Sequence, residues 1–189
     1  MGEGQLDGFD NPIHDTSSPF SSIGGYLDAL KTAAAQGSDK SAGQFYSFIY
    51  KYKSNRTDGK SGNSFAFYDS RPLVYLFDSK ANGKTIECLN FHFLPVDVRM
   101  AWLDVVNRAG GDCLKQDKVV RIPPKVIRDL KFPGFKNPFA VRHYSMDRIA
   151  GWTRIRPSAM WDLCKWTPET YGQVTYKAIR LAYLSYHQT

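Results

Sequence analysis

The sequence predicts an α+β fold: a small antiparallel β-sheet or open barrel with inserted and C-terminal helices, preceded by an extended N-terminal strap. Three observations carry this reading. Aromatic and β-branched runs of strand length occur between residues 45 and 93. Segments with helical spacing of apolar residues are inserted after them and close the chain. Residues 1–22 are rich in Gly, Asp, Ser and Pro, with apolar side chains too scattered to build a core.

Taken in order, residues 1–43 read as a strap with one short helix and a linker. Phe9, Ile13 and Phe20 are its candidate partner-binding anchors, because isolated aromatic and aliphatic residues in a polar leader suit docking in extended form. Ile23 to Ala35 carries one apolar stripe of Ile23, Tyr26, Leu27, Leu30 and Ala34, hence a helix. Gly37 to Gly43 is a linker composition.

Residues 44–189 read as the compact domain. Phe45 to Lys53, Leu73 to Phe77 and Thr85 to Phe93 are its strands, the last two joined by an Asn82-Gly83 turn. Alternation in Thr85 to Phe93 places Leu89, Phe91 and Phe93 on the core side, with Asn90 and His92 opposite. Pro95 suits a helix start, and Val96 to Arg108 shows an apolar face of Val98, Trp102, Val105 and Val106 before Gly110-Gly111 ends it. A short helix from Pro123-Pro124 through Leu130, a strand from Ile149 to Ile155, a helix from Pro157-Ser158 to Trp166 and a last helix from Pro168 to Tyr186 complete the expectation.

The chain has 189 residues and a net charge of +7, unevenly placed. Residues 1–42 carry two Lys against six acids, a balance of −4, whereas residues 115–189 carry fourteen basic and five acidic residues, a balance of +9. An acidic leader before a basic body points to contact with a polyanion or an acidic protein surface. The basic tract includes Lys125, Arg128, Lys131, Arg142, Arg148, Arg154 and Arg156, with Tyr144 and Trp152 interleaved. Such a pattern can follow a phosphate backbone, or supply a solvated face and inter-subunit ion pairs. Arg154 and Arg156 share one strand face, a spacing that suits bidentate contact with phosphate or carboxylate.

Catalytic patterns are weak. Asn90-Phe91-His92 has the residue types of some metal-dependent nucleases but no further ligand at matching spacing. Glu87 is followed by Cys88-Leu89 rather than by the Lys of a Glu-x-Lys strand. Gly59-Lys60-Ser61 lacks the upstream Gly of a phosphate loop. Cys88, Cys113 and Cys164 are widely spaced and odd in number, which reads as small buried side chains in a reducing cytosol. No stretch reaches the roughly 18 apolar residues of a membrane span. The expectation is a protein that is not an enzyme, with no catalytic residues, no cofactor and no metal.

Phe48-x-Tyr50-x-Tyr52, Tyr68-Asp69-x-x-Pro72-Leu73-Val74 and Leu89-Asn90-Phe91-His92-Phe93-Leu94-Pro95 followed by Arg99 form one set of motifs. Arg142-His143-Tyr144, Pro157-Ser158-x-x-Trp161 and Thr167-Pro168-Glu169-x-Tyr171 form another. Together, over residues 44 to about 172, they resemble a virion protein family of T4-like marine and cyanobacterial tailed phages commonly labelled DNA end protector. The resemblance implies a structural component of a tailed bacteriophage particle, made in the host cytoplasm and resident in the virion. It would be present in multiple copies in a symmetric assembly near the head–tail neck and the packaged DNA end. Its implied partners are other virion proteins, with double-stranded DNA as a further candidate and no membrane. The first 43 residues and the last helix depart from the family pattern. That leaves a baseplate or tail subunit binding only protein as an alternative, and a small DNA nuclease as a third.

Overall fold

The computed structural model describes residues 23–37, 40–51, 71–78, 83–118, 121–122, 131–132, 135–136 and 140–166. Phe9, Ile13 and Phe20, the expected helices 123–130 and 168–186, and the loop 54–64 lie outside the described residues. Among these residues the α+β expectation holds, and the choice between sheet and barrel resolves to an open sheet.

Five antiparallel strands form it: β1 (Phe45–Tyr50), β2 (Leu73–Asp78), β3 (Thr85–Asn90), β6 (Val141–Ser145) and β7 (Ile149–Ile155), in the order β6-β3-β2-β1-β7. The short strands β4 (Lys131–Phe132) and β5 (Phe135–Lys136) pair separately. Three helices accompany the sheet: α1 (Ile23–Ala33), α2 (Val96–Ala109) and the short α3 (Met160–Leu163). The boundaries of β7 agree with the sequence reading. Strand β6 was not anticipated, because Arg142 and His143 interrupt any apolar alternation in an edge strand with one unpaired side.

The residues of β1 and β2 alternate between two apolar clusters, one on each face of the sheet. Phe45, Leu73, Tyr75, Phe77 and Leu89 face the helices, where Trp102 is the largest fully buried side chain and Phe91 meets it edge-on at 5.2 Å. Tyr46, Phe48, Val74, Leu76, Ile86 and Cys88 form the opposite cluster with Tyr144, flanked by half-buried Tyr50 and Trp152. Near Ser47 and Ile49 the β1–β7 register shifts. Gly151 stands opposite this irregularity at φ +58°, and a Cβ there would meet Ile49 Cδ1 at 3.3 Å, so both conformation and space favour glycine.

Three expectations are corrected. The expected strand through Phe93 ends at Asn90, and Phe91–Phe93 is a 3-10 turn. Asn90 caps it by accepting the His92 N–H at 2.8 Å. Because the chain leaves strand geometry here, period-two alternation fails: His92 is buried between Phe91 and Phe93 and packs edge-on against Tyr26, 5.3 Å between centroids. The helix assigned to the strap belongs to the core: Tyr26, Leu30 and Ala33 of α1 are buried against the sheet, so the described compact unit begins at α1 rather than at residue 44. Along α2, Val105 is exposed while Leu103 is buried, so the apolar face is rotated by part of a turn from the expected one.

The amphipathic logic of α2 also brings a cation inside. Arg99, Trp102, Leu103 and Val106 follow the i, i+3, i+4, i+7 rule and all are buried. The Arg99 guanidinium reaches three backbone carbonyls: Nε donates to Leu94 at 2.7 Å, and Nη1 donates to Cys164 at 3.0 Å and Trp166 at 2.8 Å. One side chain thereby ties the start of α2 to the end of α3. After α2, Asn107 fastens the turn by donating to Asp112 Oδ1 at 2.7 Å and accepting the Leu114 N–H at 3.0 Å. Among the described residues no helix is long and apolar enough to cross a membrane.

Candidate functional site

The α1–β7 seam gathers the features most suited to recognition. The C-terminus of a helix leaves carbonyls without intrahelical donors and carries partial negative charge. Here those carbonyls meet β7: the Arg156 N–H donates to Ala33 O at 3.0 Å, and the Ala35 N–H donates to Arg154 O at 2.8 Å. Ala34 and Ile155 form an antiparallel bridge. The two arginines add to this seam. Arg154 Nη2 donates to the Gln36 carbonyl, and Arg156 Nη2 donates to Thr32 O at 3.0 Å.

Arg154 and Arg156 therefore serve as side-chain caps on the end of α1, joining segments 118 and 124 residues apart. Sequence spacing read them as a recognition pair; the structure gives both guanidinium groups contacts to the chain's own backbone. Arg156 remains exposed, whereas Arg154 is half-buried.

The other members of the basic tract do not converge with them. Arg142, on β6 at the opposite edge of the sheet, stacks over the Phe93 ring with its guanidinium carbon 4.7 Å from the centroid. Arg148 precedes β7, and its carbonyl accepts the Lys51 N–H at 2.9 Å. Lys125 and Arg128 lie outside the described residues. Lys131 is in β4, and its side chain lies outside the described set. A further cation, not singled out from sequence, is Lys40, whose ammonium sits 5.0 Å from the Trp152 ring centroid on the second face of the sheet.

Beside this seam, α1 and the β1–β7 edge leave an open groove of about 420 Å³. Leu27, Leu30 and Ala34 supply its helical wall, at the i, i+3, i+7 spacing of one helix face. Ser47, Gly151 and Thr153 contribute from the sheet, and Lys31 and Arg71 add cationic groups. The volume lies within the roughly 300–1,000 Å³ of small-ligand pockets. The helical stripe was legible from the sequence. The groove was not, since it depends on pairing β7 with β1.

The Asn90–His92 motif forms a buried junction. Asn90 Nδ2 donates to the Tyr144 hydroxyl at 2.7 Å while its Oδ1 caps the 3-10 turn. Glu87 Oε1 lies 3.8 Å from the Nε2 of exposed His143 on the neighbouring strand. Among the described residues no three His, Cys, Asp or Glu side chains cluster as a metal site. Tyr75 accepts the Ile122 N–H at 3.0 Å, and burial pushes its phenol up to about 12. Burial likewise pushes the Cys164 thiol up to about 12 and raises that of Cys113. No family model, curated protein or solved structure matches the chain.

Proposed function

We propose that this chain is a non-enzymatic structural component of a tailed bacteriophage particle, docking on neighbouring virion subunits near the head–tail neck and the packaged DNA end. The carrying observation is how the motif residues behind the resemblance are used. Asn90 bonds Tyr144 and the 3-10 turn, and Arg99 bonds three carbonyls across two helices. These polar residues of the Leu89–Arg99 motif build a strand-to-helix junction. That supports a motif kept for architecture. The acidic leader and basic body supply the charge asymmetry that successive subunits, or a subunit and DNA, can use.

The alternative, a baseplate or tail subunit binding only protein, is favoured by a separate observation. Arg154 and Arg156 direct donors at α1 carbonyls, which leaves fewer of their donors for phosphate.

DNA binding as a function of salt distinguishes the two. Contact with the packaged end predicts that log affinity for linear duplex falls linearly with log salt, with a slope of about −0.9 per phosphate neutralised. A protein-only subunit shows no measurable duplex affinity at physiological salt, and is found by mass spectrometry in purified tails rather than in necks. Absence of the chain from purified particles would overturn both readings. Cleavage of duplex DNA in magnesium or manganese that is lost in His92→Ala, with the fold retained, would overturn the non-enzymatic assignment.

A further inference from the structure

The groove between α1 and β7 has an identifiable occupant. We infer that it receives residues 9–13 of the leader of a second copy of this chain, Phe9-Asp10-Asn11-Pro12-Ile13. This deepens the docking reading above by naming one surface and its partner.

Three features match. The first is length. The helical wall from Leu27 to Ala34 covers roughly 10 Å at 1.5 Å per residue. An extended chain rises about 3.3 Å per residue, so Phe9 and Ile13 stand about 13 Å apart. Their even spacing turns both side chains to one side, toward Leu27 and Leu30.

The second is charge. Residues 1–22 contain Glu3, Asp7, Asp10 and Asp15 and no Lys or Arg, and Asp10 falls between the two anchors. Lys31 and Arg71 line the groove. Lys31 has a partner in Asp28 at 2.9 Å, but both side chains are largely exposed, and such a surface pair exchanges at little cost.

The third is reach. Ten residues separate Ile13 from the start of α1, an extended span of roughly 33 Å. That is about three times the groove length. Folding back on the same molecule would use only the last few leader residues and carry Phe9 and Ile13 past the groove. The same span suits a neighbouring molecule. One copy's leader in the next copy's groove is a head-to-tail contact, which closes into a ring or continues as a filament according to the rotation between copies.

The test uses the full-length protein. Sedimentation velocity over a concentration series should show self-association that weakens with added salt. The double variant Phe9→Ser with Ile13→Ser should weaken association about tenfold or more while leaving the circular dichroism spectrum unchanged. Lys31→Glu with Arg71→Glu should weaken it as well, and Asp10→Lys added to that pair should restore part of it. A photo-crosslinker placed at Leu27 should capture leader peptides in covalent dimers. Association that is absent, or indifferent to the Phe9 and Ile13 changes, overturns the inference; so do crosslinks confined to single molecules. Because these measurements need no phage particle, a chain absent from virions leaves them unaffected. A virion subunit that fails to self-associate through its leader sinks only the groove assignment.

Discussion

The two faces of the sheet are both apolar, yet they are built differently. The helix-covered face is assembled from parts distant in sequence: Tyr26 of α1, Tyr75 of β2, Phe91 of the 3-10 turn, Trp102 of α2 and Leu163 of α3. Its aromatic rings meet around Trp102, with Phe45, Tyr75 and Phe91 at 5.2 to 6.3 Å. The opposite face draws on the strands themselves. Phe48 contacts Tyr144 at 5.2 Å and Trp152 at 4.8 Å, and Tyr50 contacts Tyr144 at 4.8 Å. Trp152 and Tyr50 are only half-buried there. One face is a closed core held by helix docking; the other is an aromatic layer whose margin retains room to adjust. The cost of a deletion depends on how far its surroundings can collapse, so similar aromatic residues on the two faces should differ in what their loss does.

The largest expected effect tests that directly. Phe91→Ala should cost about 3–5 kcal/mol in urea unfolding, because Trp102 and Phe45 are enclosed and leave a cavity. Phe48→Ala should fall at or below about 3 kcal/mol, because half-buried Trp152 can move into the space. Equal costs would remove the distinction between the faces.

A second prediction sharpens it through pH. Tyr75 and Cys164 both belong to the helix-covered cluster, and both have folded-state pKa values raised to about 12 from ordinary values of 10 and 9. A raised acid binds its proton more tightly when folded, so its contribution is intact below the ordinary pKa. It is lost as pH rises toward 12, on the order of 1.4 kcal/mol per pH unit for each group within its window. Stability should therefore decline from about pH 9 upward. Cys164→Ala should delay the onset toward pH 10, although it also costs packing. An unchanged alkaline profile in that variant would assign the loss to other groups.

The smallest effect concerns the seam. Arg156→Ala should cost about 0.5–1.5 kcal/mol, the net value of one hydrogen bond to a helix-end carbonyl. Amide exchange should rise in α1 and at the Ala34–Ile155 bridge, while the Phe48–Tyr144 layer stays protected. Faster exchange across both faces would show that α1 is no separable flap on the helical side.

These regions also differ in how much of them the sequence revealed. Pro95 and Gly110 punctuate α2, and the uninterrupted Ile149–Ile155 run marks β7, because such signals are local. The 3-10 turn was hidden because Phe91 and Phe93 are equally good strand residues, and only the Asn90 cap redirects the chain. Arg99 was legible in principle, since it shares the apolar stripe of Trp102 and Val106, but its charge argued for the surface. Arg154 and Arg156 were seen as cations and their partners were not, because helix-end carbonyls from the other end of the chain leave no mark in local spacing. An amphipathic α1 announced that something covers its stripe, without saying that the sheet does.

The strand order carries a consequence for biosynthesis. The pairing of β1 with β7 sets Tyr46 against Arg154, so the first strand made waits for the last before that edge of the sheet can form. At roughly 5–20 residues per second, the interval is on the order of 5–20 seconds, during which β1 presents an unpaired aromatic edge to its surroundings. Pairings of such sequence separation also fold slowly once the chain is free. Nascent copies made side by side thus share a period in which the β1 edge of one can meet the β7 edge of another.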